Sequence, residues 1–119
     1  MERFEDIVAW QKARELTAEI YRCSQQQRLR KDFALRDQMV RAAISIMANI
    51  AEGFGRRSDK EFASFLNFSH GSVAETQSHL YVALDLKYIS ESNFSDLYRL
   101  FDEVSRMIMG LTNHLRQIK

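Results

Sequence analysis

The chain has 119 residues, of which 45% are apolar and 28% charged, and a formal net charge of +1. That is the make-up of one folded domain, and it argues against a disordered tail or a strongly polycationic nucleic-acid binder. With no Pro, four Gly and a single Cys, an all-helical chain with short connections and no internal disulfide is expected, in a cytoplasmic setting. No run of about 18 apolar residues exists to cross a membrane, and the acidic start Met1-Glu2-Arg3-Phe4-Glu5-Asp6 lacks a signal-peptide core.

Four amphipathic segments follow one another without an internal repeat. The first is expected over about Phe4–Gln27, with Ala9, Ala13, Leu16, Ile20 and Cys23 inward. The second runs from about Phe33 to Gly53 and turns Leu35, Met39, Ala42, Ala43, Ile46 and Ile50 inward. Gly53 or Gly55 offers the left-handed residue that would stop it. Ser58 followed by Glu61 reads as a capping box opening a third helix, about Asp59–Leu86. Its inner stripe is Phe62, Phe65, Leu66, Ser69, Val73, Thr76, Leu80 and Leu84. The fourth helix is expected from about Phe94 to Ile118, capped by Ser92 or Asn93. Leu97, Leu100, Val104, Met107, Leu111, Leu115 and Ile118 give it a near-heptad stripe.

Short connections make neighbouring helices antiparallel, so the expected fold is an all-α, up-down-up-down four-helix bundle in one domain spanning residues 1–119. Two segments carry more apolar surface than one stripe buries. Ile7, Trp10 and Tyr21 on the first, and Phe68, Val82 and Leu86 on the third, form second faces. Faces of that size point to a homo-oligomer, although a wide stripe packing a fat core is the plainer alternative.

Charge is unevenly spread. Residues 22–60 hold nine basic and four acidic residues, and residues 61–105 two basic and seven acidic. The halves either attract each other within the bundle or leave a basic rim for nucleic acid. Arg28, Arg30, Lys31, Arg36, Arg56, Arg57 and Lys60 are the candidates for phosphate contact. Gly53-Phe54-Gly55-Arg56-Arg57, just before a helix start, either cradles a phosphate or is a plain turn with solvated arginines. Arg41, Asn49, Glu52, Ser72 and Glu75 are candidates for a polar network or interface, since Asn49/Glu52 and Ser72/Glu75 each share a helix face.

Catalytic and metal chemistry find no support in the spacing. His70 and His79 lie nine steps of about 100° apart and so face opposite ways. His114 is on another helix, and no Glu-x-x-His pair is present. No P-loop, Gly-x-Ser-x-Gly elbow or dinucleotide fingerprint appears. Cys23 sits on an apolar stripe and reads as core. No cofactor, metal or catalytic residue is expected.

Several motifs together resemble the bacterial four-helix-bundle family encoded in intervening sequences of 23S ribosomal RNA genes. They begin with Phe4-Glu5-Asp6-Ile7-Val8-Ala9-Trp10-Gln11-Lys12-Ala13, Glu15-Leu16 and Ile20-Tyr21. They continue with Leu35-Arg36-Asp37-Gln38 and Arg41-Ala42-Ala43-Ile44-Ser45-Ile46. Asn49-Ile50-Ala51-Glu52-Gly53 is the most specific, followed by Arg56, Lys60-Glu61-Phe62, Phe65-Leu66, Gly71-Ser72 and Glu75. The accessory variability proteins of diversity-generating retroelements look like relatives. The resemblance implies a non-enzymatic, barrel-like homopentamer of antiparallel bundles. The retroelement relatives bind nucleic acid and a reverse transcriptase, and they look strongly basic where this chain is nearly neutral. The chain departs from the family pattern at Met47 and in the loop Gln25–Arg30, where Pro is usual, at His70 for Arg, and at Lys87 for Gly. Partners implied are thus a second copy of the chain, RNA or DNA, or a protein associated with them. A scaffold that binds only protein is the alternative.

Overall fold

The computed structural model describes residues 1–117. Among them are four helices and no strand: α1 Val8–Ser24, α2 Phe33–Phe54, α3 Asp59–Asp85 and α4 Glu91–Gln117. The molecule measures 49 × 21 × 19 Å, and α2 and α3 pack together most extensively.

The helix ends show how local chemistry sets each boundary. The first segment is not one helix from Phe4. The Asp6 carboxylate accepts from the backbone N–H of Glu2 and Arg3 at 3.2 and 3.1 Å, closing a 3-10 turn at Phe4–Asp6. Ile7 is then extended (φ −76°, ψ 119°) before α1 begins. Helical phase therefore does not apply to Ile7. Its side chain is 3% exposed within the chain, not on the outer face expected of it. α1 ends at Ser24 because Gln27 turns left-handed (φ 35°) and Leu29 drops into the core, 0% exposed. Asp32 then caps α2 by accepting from the Leu35 N–H at 3.2 Å.

Neither glycine at the end of α2 is left-handed. The helix runs through Gly53 to Phe54, and Gly55 stays right-handed at φ −77°. Gly53 is needed for a different reason: a Cβ there would lie 2.6 Å from Phe65 Cβ and 3.0 Å from Phe62 Cδ1. Its missing side chain lets α2 and α3 close up. Ser58 caps α3, its hydroxyl accepting from the Glu61 N–H at 3.1 Å, but the return bond from the Glu61 side chain that would complete the expected capping box is not made. The far end of α3 is a Schellman turn. Lys87 N–H bonds Leu84 C=O and Tyr88 N–H bonds Ala83 C=O, each at 2.9 Å, with Lys87 at φ 61°. α4 begins earlier than its apolar pattern. Ser90, rather than Ser92 or Asn93, accepts from the Asn93 N–H at 3.0 Å and caps it.

The stripe of α1 is buried as read, and so is that of α2 except for the half-buried Leu35. On α3, Phe65 and Leu84 are half-buried while the rest of the stripe is buried. On α4 the buried line is Phe101, Val104, Ile108, Thr112 and Leu115. Leu97, Leu100, Met107 and Leu111 flank it, half-buried. Phe101 and Ile108, one step on from Leu100 and Met107, take the centre because the apolar face of α4 is wider than a heptad seam. Ile118 lies outside the described residues. The threonine hydroxyls inside the core are satisfied locally: Thr17, Thr76 and Thr112 each donate to the carbonyl four residues back, at 2.7–2.9 Å.

Candidate assembly and nucleic-acid surfaces

The expected basic set divides between two regions at opposite ends of α2, a helix of 22 residues that spans about 33 Å. Arg28, Arg30, Lys31 and Arg36 surround the α1–α2 connection; Arg56, Arg57 and Lys60 surround the α2–α3 connection. Three of the seven are engaged within the chain. Arg28 donates to the carbonyls of Leu86 and Lys87 at 3.3 Å and lies over the Tyr88 ring at 5.4 Å. Arg36 donates to the Arg30 carbonyl at 3.0 Å and to Asp37 at 3.2 Å, over the Phe33 ring at 4.7 Å. Arg56 pairs with Glu52 at 2.9 Å and lies over Phe65 at 4.7 Å. Arg30, Lys31, Arg57 and Lys60 are exposed, with no ion-pair partner among the described residues.

The Gly53–Arg57 turn does not present a row of free amides. The N–H of Gly55 bonds Ala51 C=O at 3.3 Å and that of Arg56 bonds Gly53 C=O at 3.1 Å. The first cluster of cations belongs to a second construction. Tyr88 donates its hydroxyl to Asp32 at 2.9 Å, so Arg28, Asp32 and Tyr88 clip the α1–α2 connection to the α3–α4 connection. The bond to Asp32, burial and the nearby carboxylate charge together raise the Tyr88 hydroxyl above its ordinary pKa.

The expected polar network is assembled only in part. Asn49 donates to the Ser45 carbonyl and hydroxyl at 2.8 and 3.0 Å, and Ser72 donates to the Ser45 hydroxyl at 2.9 Å. Ser69 reaches the Ile46 carbonyl at 2.7 Å. Ser45 is thus the hub that sequence reasoning passed over; its position opposite the small residues of α3 was the available signal. Glu52 turns to Arg56 instead, and Glu75 lies 4.0 Å from His79 Nε2. His79 is mostly buried, and its Nδ1 has no partner among the described residues. Arg41 is exposed and lines an open cleft of about 520 Å³ between α1 and α2, with Tyr21, Arg36, Val40 and Ile44.

Of the apolar residues expected outside, Tyr21 (46%), Phe68 (58%), Val82 (41%) and Leu86 (46%) are exposed. Trp10 is half-buried and packs edge-on against Phe4 at 5.1 Å. Phe33, Ile44, Tyr81 and Met109 are exposed too, and were not anticipated. Cys23 is 8% exposed, and burial, then the Glu19 charge, raises its thiol pKa. Among the described residues no group of three or more His, Cys, Asp or Glu is drawn together as a metal site would require, and no helix is long and apolar enough to cross a membrane.

Comparison with known proteins agrees with this architecture. Among curated proteins no match is found. A crystal structure of a protein of unknown function from the S23 ribosomal protein family of Bacteroides thetaiotaomicron VPI-5482 is similar, with a TM-score of 0.81 at 23% identity. The likeness covers 88% of this chain and 98% of that one, and at that identity it speaks for the fold alone. The family model for 23S rRNA-intervening sequence proteins matches residues 5–110, nearly the whole bundle from the first turn to the last helix, and the chain therefore belongs to the 23S rRNA-intervening sequence protein family.

Proposed function

We propose that the protein is a non-catalytic, cytoplasmic four-helix bundle that assembles with copies of itself, five in the reading the family resemblance favours, and binds nucleic-acid phosphates through its ends. Contacts along the helices support an up-down-up-down course: Gly53 at the end of α2 meets Phe62 and Phe65 near the start of α3, Ser45 and Ser72 meet at the middles of the same two helices, and Gln77 late in α3 bonds Tyr98 and Asp102 in the first half of α4. The observation that carries nucleic-acid binding is the pair of end clusters, Arg30/Lys31 and Arg57/Lys60, exposed and unpaired among the described residues. One chain offers too few such cations to overcome a net charge of only +1. Repetition around an oligomer multiplies them on one surface, and phosphate contacts then add without sequence readout. The resemblance of its motifs to retroelement accessory proteins adds only weak support, since those look strongly basic and this chain carries a net charge of +1.

Light scattering on a sizing column, with the absorbance ratio read before and after nuclease, tests both halves. Five chains carrying nucleic acid are expected. Fluorescence anisotropy with labelled RNA and DNA should then show affinity that falls steeply with salt and drops further in Arg57→Ala/Lys60→Ala. Absence of binding at low salt refutes the nucleic-acid half. A second reading, a scaffold for protein partners alone, is favoured by the internal engagement of Arg28, Arg36 and Arg56. An oligomer free of nucleic acid that repeatedly retains one protein after nuclease treatment would select it.

A further inference from the structure

We infer that self-assembly, which this inference takes from the reading above, is head-to-tail: the outer stripe of α3 on one copy seats in the α1–α2 cleft of the next. The stripe consists of Phe68, Glu75, Val82 and Leu86. Steps of seven, seven and four place them on one line along the helix, about 27 Å long. All four are exposed, so three large apolar side chains and one carboxylate face outward in a row. The cleft, about 520 Å³, offers the complement: Tyr21, Val40 and Ile44 supply apolar surface, Arg36 and Asp37 line it as a pair at 3.2 Å, and Arg41 adds a positive charge that no carboxylate among the described residues matches at ion-pair distance. Glu75 has only its His79 contact at 4.0 Å.

The occupant follows from charge. Residues 22–60, which contain Arg36 and Arg41, are net basic, and residues 61–105, which contain the stripe, are net acidic. Each copy thus carries both halves of an attractive pair on different helices. Self-pairing of like surfaces is disfavoured. Glu75 is the midpoint between Phe68 and Val82, so two stripes packed antiparallel would set one Glu75 against the other. Two clefts face to face would bring together two surfaces of the same net positive sign, since Arg36 and Arg41 outnumber Asp37 in each. A contact between two different patches is heterologous, and it repeats until the rotation closes a ring.

Charge reversal in trans tests this. Wild-type protein, Arg41→Glu, Glu75→Arg and an equimolar mixture of the two variants are weighed by light scattering, with helicity and cooperative melting followed by circular dichroism. Wild type is expected as an oligomer. Each folded variant alone should fall to the 14.0 kDa of one chain, and the mixture should regain mass as even-numbered assemblies of at least two chains, because matched contacts alternate between the two variants and a ring of five cannot close on them. Only a contact between chains can be restored by mixing, so a salt bridge within one chain cannot imitate this result. A monomeric wild type overturns the self-assembly reading and this inference together. An oligomeric wild type whose variants keep their mass overturns this pairing alone, as does a failure of the mixture to reassemble. Loss of bound nucleic acid from Arg41→Glu at unchanged mass would assign the cleft to phosphate and overturn a second copy as its occupant.

Discussion

Replacing Gly53 by Ala sets two effects of known sign against each other. In a helix interior the change to Ala is worth about 1 kcal/mol of propensity. At this position the new methyl would meet Phe65 Cβ at 2.6 Å, Phe62 Cδ1 at 3.0 Å and the Phe62 carbonyl oxygen at 3.3 Å. Carbon atoms ordinarily rest about 3.5–4.0 Å apart, so the Phe65 contact is short by about 1 Å. A Cβ cannot swing away as a side-chain tip can. Relief requires α2 and α3 to separate at their most extensive contact, and overpacking of this kind costs about 1–3 kcal/mol, with gaps opening beside the wedge. The overlap is severe enough to place the cost near the upper end, leaving a net loss of about 1–2 kcal/mol, or about 4–10 °C in Tm. Gly71 and Gly110 are internal controls, since a Cβ at either meets nothing within 4 Å. Gly71→Ala and Gly110→Ala should each gain about 0.5–1 kcal/mol. Urea and thermal melts at one fixed protein concentration measure all three, because self-association would otherwise shift Tm. A Gly53→Ala protein as stable as Gly71→Ala would refute the close-approach argument.

Lys87 holds the left-handed position of the α3 Schellman turn at φ 61°; Lys87→Gly should raise stability by about 0.5–1 kcal/mol and Lys87→Val should lower it, both read from melts. Tyr88→Phe removes the hydroxyl bond to Asp32 and should cost about 1 kcal/mol. Asp32→Ala removes the α2 cap as well and should cost about 1 kcal/mol more, with amide exchange speeding at the start of α2. Cys23 should react slowly with a thiol reagent in the native protein and at once in urea. Because its folded pKa is raised, its share of stability is complete below the unfolded thiol pKa and fades as pH rises through the folded one. Alkaline melts should therefore weaken wild type more steeply than Cys23→Ala; parallel pH profiles would contradict this.

Much of the fold was legible because apolar periodicity and burial are nearly the same information in a helical chain. The α1 stripe from Ala9 to Cys23 and the α2 stripe from Met39 to Ile50 needed nothing else. What the pattern could not settle was fixed by single contacts between distant residues. Gly53 looks like a helix terminator until Phe62 and Phe65 arrive beside it. Ile7 has helical spacing from Trp10, yet Asp6 closes a turn just before it and changes the backbone. On α4 the heptad line and the line through Phe101 and Ile108 are equally apolar, and only packing chooses. The candidate site was less legible. Charge counts found the basic residues but not their geometry, because Arg28, Arg36 and Arg56 are drawn onto Tyr88, Phe33 and Phe65 rings supplied by tertiary or near-neighbour structure. Ser45 sits in an Ala-rich run, and the one hint of its place in a network, the small residues of α3 that face it, takes meaning only once the two helices are packed together.

That seam of hydroxyls between α2 and α3 bears on how faithfully the exterior is reproduced from one molecule to the next. Greasy ridges tolerate sliding: shifted by a turn, one Leu meets another groove of similar shape. The bonds from Ser72 to Ser45 and from Ser69 to the Ile46 carbonyl do not, since a slip of about 5.4 Å would leave buried polar atoms without partners. The seam therefore acts as a vernier. By locking the axial setting of α3 against α2, it fixes the height at which Phe68, Glu75 and Val82 stand on the outside. Any lattice of copies that reads those heights inherits its precision from three serines, Ser45, Ser69 and Ser72, that lie between the two helices.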